Sequence, residues 1–395
     1  MSQAIKPADE AELAASVAEA AAARRPLAIA GGGTRRGLGR PVQAAATLST
    51  EKLRGVTLYE PAELVVSARA GTPLVEVEAL LADSGQRLAF EPMDHRFIEA
   101  SQGQPTVGGV VATNASGPRR ITSGAARDSL IGVRAVTGRG ETVKSGGRVM
   151  KNVTGYDLVK FLAGSCGTLA VLTEVTFKVA PRPEAEATLV IAGLDEARAV
   201  AALSAALGSP FSVTGAAHVP ARGARRSETL VRIDGFADSV AERSDKLAAA
   251  LAAFGPAERA DAEASARTWR MVRDLAALGA PDRAPIWRVS VRPTDGPRVA
   301  ELVRRAFDCE VLYDWGGGLV WIAGGSGPDA GAGAIRSAVA GFGGHATLVR
   351  ADETVRNAVP VFEPPSEPLM ALSRKLKATF DPEGILNPGR MYAGV

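Results

Sequence analysis

"IAGGGTRRGLGRP", residues 29–41, follows Leu27 and Ala28 and contains three consecutive glycines, Gly31 to Gly33. Leu27 to Ala30 reads as a short buried strand. A strand that runs into glycines opens many nucleotide sites, so the question is which phosphate, if any, this loop holds. The dinucleotide fingerprint needs glycine at its first, third and sixth positions. Counted from Gly31, the sixth is Arg36. The P-loop needs Gly-Lys-Ser/Thr after four intervening residues. Counted from Gly32, the second glycine is Gly37, but Leu38 and Gly39 follow it. No lysine stands there for the phosphates and no hydroxyl for magnesium. Gly37, Gly39 and Pro41 also exclude a helix. Two readings remain. One is a tight loop whose main-chain N–H groups converge on an anion, with Arg35 and Arg36 adding positive charge. The other is an ordinary turn between strands.

Composition narrows the class. The 395 residues suffice for two or three domains, and 46% hydrophobic content supplies a large core. Lysine and arginine number 46 against 43 acidic residues, which gives no long-range field for nucleic acid. Aromatic residues, at 5%, are too few for single-strand stacking platforms. No apolar run reaches membrane-spanning length. Asp9, Glu10, Glu12 and Glu19 exclude the apolar core of a signal peptide, and the segment reads as a surface helix with Leu13 and Val17 on one face. The chain has two cysteines, Cys166 and Cys309. They are too few for a four-cysteine iron–sulfur cluster or a disulfide framework, so a cytoplasmic protein is expected. His95, His218 and His345 lie far apart without metal-ligand spacing, and no metal site is expected.

Strands and short helices alternate over residues 27–180. A strand at 64–68, a helix opened by Pro73, a hairpin over 131–143 and a long strand over 168–179 stand out. Pro181 and Pro183 then mark a boundary. Beyond it the pattern runs strand, helix, two strands and helix, and after a helix near 261–277 it restarts at 286. Both halves read as split β-α-β units with an antiparallel sheet. A second proline-rich break, "VPVFEPPSEP", precedes a tail helix over 368–379 and "FDPEGILNPGRMY".

Two further stretches resemble the first in kind. "QPTVGGVVATNASGPRR", residues 104–120, places small residues on both sides of an apolar run, with Asn114 and Ser116 as donors and acceptors. In "KFLAGSCGTLAVLTEVTFKV", residues 160–179, Gly164, Ser165, Gly167 and Thr168 make a tight loop into a buried strand. Each alone reads as a turn. Three such loops in one domain-sized segment point to one shared ligand.

These motifs resemble the FAD-binding family of vanillyl-alcohol oxidase and p-cresol methylhydroxylase (PCMH) type. The resemblance places Gly31, Gly32, Gly33, Thr34 and Arg35 at the FAD pyrophosphate. It places Thr106, Val107, Gly108, Gly109, Thr113, Asn114, Ala115, Ser116 and Gly117 in the second flavin-contacting segment. Gly164, Gly167, Thr168, Leu169 and Val171 fall in the third, where Cys166 and Ala170 depart from the family's usual wording. Asn387, Lys151, Tyr156 and Asp157 become flavin-side neighbours. The implied fold is α+β: a two-subdomain PCMH-type FAD-binding domain over 1–183, an α+β cap with an antiparallel sheet and helices on one face over 184–365, and a tail over 366–395 returning to the first domain. The cofactor is expected to be non-covalent FAD, because His95 is the one histidine near these segments. A side chain at Gly32 is expected to expel the pyrophosphate and leave much of the fold standing.

"GPRR", "RDSLIGVRAVTGRGETVKSGGRVMKNVTGYDL" and "FDPEGILNPGR" narrow the resemblance to the smaller FAD-binding subunits of bacterial glycolate oxidase. It implies oxidation of a small 2-hydroxy acid, glycolate, together with a larger FAD-containing catalytic subunit and an iron–sulfur subunit, with membrane contact only peripheral. Two alternatives stay open: a self-sufficient FAD-dependent 2-hydroxy acid dehydrogenase, and a scaffold that keeps the fold without its own catalysis. Arg222, Arg225 and Arg226 are candidates for a substrate carboxylate, against a solvated loop. No residue is assigned as catalytic.

Overall fold

The protein, seen as a computed structural model, is described over residues 3–147, 157–325 and 327–395. Two compact units emerge. The first comprises Met1–Gly117, Ser123–Arg182 and Pro364–Val395; the second comprises Pro118–Thr122 and Pro183–Glu363.

The first unit contains a parallel sheet in which Gln3–Ile5 and Leu27–Ala30 flank Ala46–Ser49. Parallel strands need a crossover, and the helix Glu10–Ala22 lies between Ile5 and Leu27 in the chain. Asp9 caps it by accepting the Glu12 N–H at 2.9 Å. Leu13, Val17 and Ala20 form its buried face and pack with Leu27, Leu48, Val136, Val171 and Leu386. Burying each leucine or valine contributes about 1.5–3 kcal/mol.

Beside it runs an antiparallel sheet in the order Val56–Glu60, Val65–Arg69, Ala170–Lys178, Leu130–Thr137, Thr142–Gly146. Its core includes the helices Leu74–Asp83 and Val107–Ala112. The strand Val56–Glu60, not read from the sequence, has no fully buried residue, although Val56 and Tyr59 pack against the core. The tail completes the unit. Leu27 N–H donates to Ile385 at 2.7 Å, and Asn387 N–H donates to Leu27 at 2.9 Å. The buried Lys377 ammonium reaches the carbonyls of Thr168 (2.7 Å) and Leu386 (2.8 Å) and the Asp381 carboxylate (2.7 Å).

The second unit is built on one eight-stranded antiparallel sheet made of two βαββαβ halves. The first half is ordered Ala257–Ala260, Ala185–Ala192, Glu228–Gly235, Val213–Val219; the second Cys309–Asp314, Leu319–Gly324, Ile286–Ser290, His345–Arg350. They meet where His218 stands opposite Tyr313. The helices Glu196–Leu207, Ala237–Ala250, Gly296–Arg304 and Ala332–Ala340 supply the cores over one face. One further helix, Ala262–Arg273, lies on the other. Thr188 alternates with the core residues Ala187 and Leu189. Its hydroxyl accepts the Trp269 indole N–H at 2.8 Å. Gly215 makes room for that indole, since a Cβ there would lie 2.7 Å from the ring.

Residues 118–122, read from sequence as part of the first domain, join this unit. Arg119 pairs with Glu186 at 2.8 Å and with Asp234, and Ile121 packs on the first-half core. Among the described residues, no helix is long and apolar enough to cross a membrane.

Glu10 ties the first helix to the antiparallel sheet, accepting from Arg134 Nε at 3.2 Å and Thr173 Oγ1 at 2.5 Å. Burial opposes its ionisation, but those hydrogen bonds and the Arg134 charge outweigh it and hold its pKa below 4.5. A carboxylate with a lowered folded pKa contributes stability above its unfolded pKa and loses it as pH falls through the folded one. The Tm difference between the parent and Glu10→Gln should therefore be full at neutral pH and close below about pH 4. A difference that persists unchanged to about pH 3 would show that the ion pair does not stabilise the fold.

Candidate functional site

Four stretches of the first unit converge on one open cavity. The glycine loop contributes Ile29 to Arg36. The second segment contributes Thr106, Gly108, Gly109, Ala112 and Thr113. Ser165, Cys166, Gly167, Ala170, Val171 and Leu172 form a third wall, and Thr50, Asn387 and Arg390 complete it.

The glycine loop is not helical. The main-chain N–H groups of Gly31, Gly32, Gly33 and Thr34 donate no hydrogen bond among the described residues. Consecutive unpaired donors beside a cavity form a seat for an anion. Arg35 strengthens it. Its Nη2 donates to the Met93 carbonyl at 2.7 Å, while its Nε and Nη1 are buried without a partner. Burial pulls this guanidinium down to about 10 against the raising effect of Asp94, so it stays charged at neutral pH.

The glycines are needed for different reasons. Gly33 adopts φ +77°, which disfavours a side chain. Gly31 and Gly32 are set by close approach. A Cβ on Gly31 would lie 2.4 Å from Thr106 Oγ1, and one on Gly32 would lie 1.7 Å from the Gln104 carbonyl oxygen. A side chain at Gly32 therefore collides with the protein itself. The expectation that the fold survives such a change is corrected.

The second segment, which alone reads as a turn, contains a helix. Thr106 caps Val107–Ala112, its hydroxyl accepting the Gly109 N–H at 3.3 Å. Glycine disfavours helices, but Gly108 lies against Ala70, where a Cβ would come within 2.7 Å of the Ala70 Cβ. Gly109 faces more open space, and a Cβ there would meet Thr106 Oγ1 alone, at 3.3 Å. After Thr113 the chain turns away through Asn114 at φ 47°.

Asn387 joins two walls. Its Oδ1 accepts the Ile29 N–H and its Nδ2 donates to the Cys166 carbonyl, both at 2.8 Å. Arg390 Nη2 donates to the Arg35 carbonyl at 2.8 Å.

Of the residues expected at the cofactor, Gly31, Gly32, Gly33, Thr34, Arg35, Thr106, Gly108, Gly109, Thr113, Gly167, Val171 and Asn387 line this cavity. Val107, Asn114, Ala115, Ser116, Gly117, Gly164, Thr168 and Leu169 do not. Val107 is fully buried in the core. Asn114 Oδ1 accepts the Arg127 N–H, the Ala115 carbonyl accepts the Ala126 N–H, and Gly117 N–H donates to Phe90. Gly164 N–H donates to Val111, Thr168 turns its hydroxyl to the Ser165 carbonyl, and Leu169 packs on the core. Asp157 caps the helix Leu158–Leu162 instead of facing the cavity. His95 is buried elsewhere. Lys151 and Tyr156 lie outside the described residues. Arg222 pairs with Glu310 at 3.0 Å on an exposed hairpin that also carries Arg225 and Arg226. Sequence reasoning did not single out Thr50, which lies outside every motif, or Ala112 and Arg390, which lie inside quoted motifs without being picked out.

Convergent unpaired amides, a buried cation and glycines that keep the walls open fit an elongated dinucleotide with a pyrophosphate. Comparisons agree. Residues 1–146 match the FAD binding domain family, and residues 363–391 match the C-terminal domain of FAD linked oxidases. The chain is 35% identical to the glycolate oxidase subunit GlcE of Escherichia coli (strain K12), over 95% of both chains. It is 33% identical to a D-lactate dehydrogenase of Archaeoglobus fulgidus over 45% of this chain and 38% of that one. The fold is similar to 4-ethylphenol oxidase from Gulosibacter chungangensis, with a TM-score of 0.70 at 13% identity, covering 99% of this chain and 89% of that one.

FAD is therefore the cofactor, held without a covalent bond. Cys166 is the one thiol lining the cavity, and burial raises its pKa against the lowering effect of Arg390, which keeps it a neutral, weak nucleophile. Acid precipitation should release the flavin into the supernatant; flavin fluorescence that stays with the denatured chain on a gel would contradict this. Gly109→Val should weaken FAD binding at least about tenfold while leaving Tm of the flavin-free protein near the parent's. Full flavin content in that variant would mean that FAD does not pass over the Val107–Ala112 helix.

Proposed function

The chain belongs to the FAD-linked oxidoreductases with a PCMH-type FAD-binding domain, and from that membership we propose that it is the FAD-binding subunit of a complex that oxidises glycolate to glyoxylate. The observation that carries the FAD role is the row of unpaired amides from Gly31 to Thr34 beside Arg35. The 2-hydroxy-acid substrate is supported by likeness over nearly the whole chain to a glycolate oxidase subunit.

Glycolate oxidation removes two electrons and two protons, and bound FAD supplies the two-electron acceptor. This chain's residues hold that acceptor. Gly31 to Thr34 and Arg35 would bind the pyrophosphate, and the Val107–Ala112 and Ser165–Gly167 walls would flank the rest. Asn387 keeps the first and third walls in register.

The subunit role is supported by what lines the cavity. Among the described residues, the titratable side chains there are Arg35, Arg36, Arg390 and Cys166. They bind anions or stay neutral, and none is a carboxylate or imidazole placed to take the hydroxyl proton. The electron pair must also leave. Cys166 and Cys309 are too few for a four-cysteine iron–sulfur cluster, which leaves oxygen, a quinone-linked acceptor or a partner subunit, and the likeness to a glycolate oxidase subunit favours the partner. The partners this reading calls for are a larger FAD-containing catalytic subunit and an iron–sulfur subunit.

The test is reconstitution. Glycolate-dependent dye reduction should be near background for this chain alone and for each pair of subunits, and should appear with the full set. Full turnover by this chain alone would overturn the subunit role and favour a self-sufficient 2-hydroxy acid dehydrogenase.

A further inference from the structure

Arg119 and Arg120 are neighbours in sequence and opposites in environment. Arg119 is held by two carboxylates, Glu186 and Asp234. Arg120 has no hydrogen bond or ion pair among the described residues. Its guanidinium carbon lies over the Trp315 indole, 5.2 Å from the ring centroid. A second guanidinium, that of Arg288, lies over the same indole at 5.3 Å. The Arg288 side chain likewise has no hydrogen bond or ion pair among the described residues.

The fold puts both cations there at some cost. Trp287 and Val289 point into the core under the helices, so strand alternation turns Arg288 to the opposite face of the sheet. Trp315 stands in the tight connection between Cys309–Asp314 and Leu319–Gly324 with φ 53°, a conformation that bulky side chains rarely adopt. Its N–H is fixed by the Asp314 carboxylate at 2.7 Å. Backbone strain of this kind persists where the surroundings over-determine it. Burial and the Arg120 charge together pull Arg288 down to about 10, still protonated at neutral pH. His345 pairs across the sheet with Ser290. Partial burial and the charges of Arg288 and Arg120 keep its pKa below the ordinary value against the raising effect of Glu363.

An indole face attracts guanidinium groups but does not neutralise their charge. Two like charges held near one ring without a counter-charge among the described residues call for an anion. Guanidinium forks match the planar, two-oxygen edge of a carboxylate better than a point charge does. We infer that Arg120, Arg288 and Trp315 form a seat for the carboxylate of a small acid, with the indole holding both guanidinium groups in position. This seat deepens the 2-hydroxy-acid reading and rests on it only for which acid matters; the anion site itself stands on the geometry. It also replaces Arg222, Arg225 and Arg226 as the carboxylate-binding candidates, since Arg222 is already paired with Glu310.

The test uses the full flavin-containing chain and oxalate, a planar carboxylate with no hydrogen to lose as hydride. Oxalate should change tryptophan fluorescence in a saturable, salt-sensitive way, and Trp315→Phe should remove most of that change. Arg120→Gln and Arg288→Gln should each weaken oxalate binding, followed by calorimetry, by about tenfold to a hundredfold. Arg288→Lys, which keeps the charge but not the fork, should fall between. Arg298→Gln, a surface arginine over Phe342, should bind as the parent does. Unchanged flavin content in every variant shows that the chain is folded. Parent-like oxalate affinity in both glutamine variants, an undiminished signal in Trp315→Phe, or tighter binding of inorganic phosphate than of oxalate would each overturn the carboxylate seat. Oxalate binding by these residues in a reconstituted complex that does not oxidise glycolate would keep the seat and remove the glycolate reading.

Discussion

One tail residue, Asn387, holds the cavity in shape. Its side-chain oxygen takes the Ile29 N–H and its amide nitrogen gives to the Cys166 carbonyl, so the end of the chain fixes the spacing between the glycine loop and the third wall. The same residue sits at φ 42°, with its own N–H on Leu27. Asparagine tolerates that conformation better than most residues and can donate and accept at once. Around it, Lys377 and Asp381 close the tail onto Thr168 and Leu386, and Arg390 reaches the Arg35 carbonyl. A residue far from the glycine loop in sequence thus sets the geometry of that loop.

The glycines of the loop divide between two physical duties. Gly33 supplies a positive φ. Gly31 and Gly32 let the loop touch Thr106 and Gln104, and Gly103 is matched to the loop in return, since its own Cβ would lie 1.7 Å from the Gly32 carbonyl oxygen. This reciprocal contact leaves no room for a side chain on either strand of the approach. It holds the amides of Gly31 to Thr34 in place without hydrogen bonds of their own, which leaves them available to an anion.

The second unit treats its arginines in two ways. Arg119 is paired with carboxylates, and Arg232 lies over the Trp269 indole 4.4 Å from its centroid while donating to the Thr214 carbonyl at 3.3 Å. These side chains knit the sheet to what covers it. Arg120 and Arg288 share an indole and no carboxylate. The difference is invisible in "GPRR", where both arginines look alike, and arises because one side chain meets Glu186 and Asp234 while the next meets Trp315.

The sequence alone determined the class of the protein and the presence of its cofactor loop. Local chemistry suffices for that: apolar runs mark Leu27–Ala30 and Ala170–Lys178, proline marks the boundary near 181–183, and the small-residue stretches carry the FAD resemblance. The βαββαβ halves were legible for the same reason, since strand and helix periodicities are local. What only the tertiary structure decided was who faces whom. Thr106 caps a helix in a stretch that alone reads as a turn, and Asn114 to Gly117 left the cavity after one left-handed residue. Residues 118–122 joined the second unit because their partners, Glu186 and Asp234, lie far along the chain. Thr50 entered the cavity wall without any motif, and Arg120 met Arg288 over one indole. Pairings of this kind are set by long-range packing, which leaves no periodicity or spacing in a single sequence.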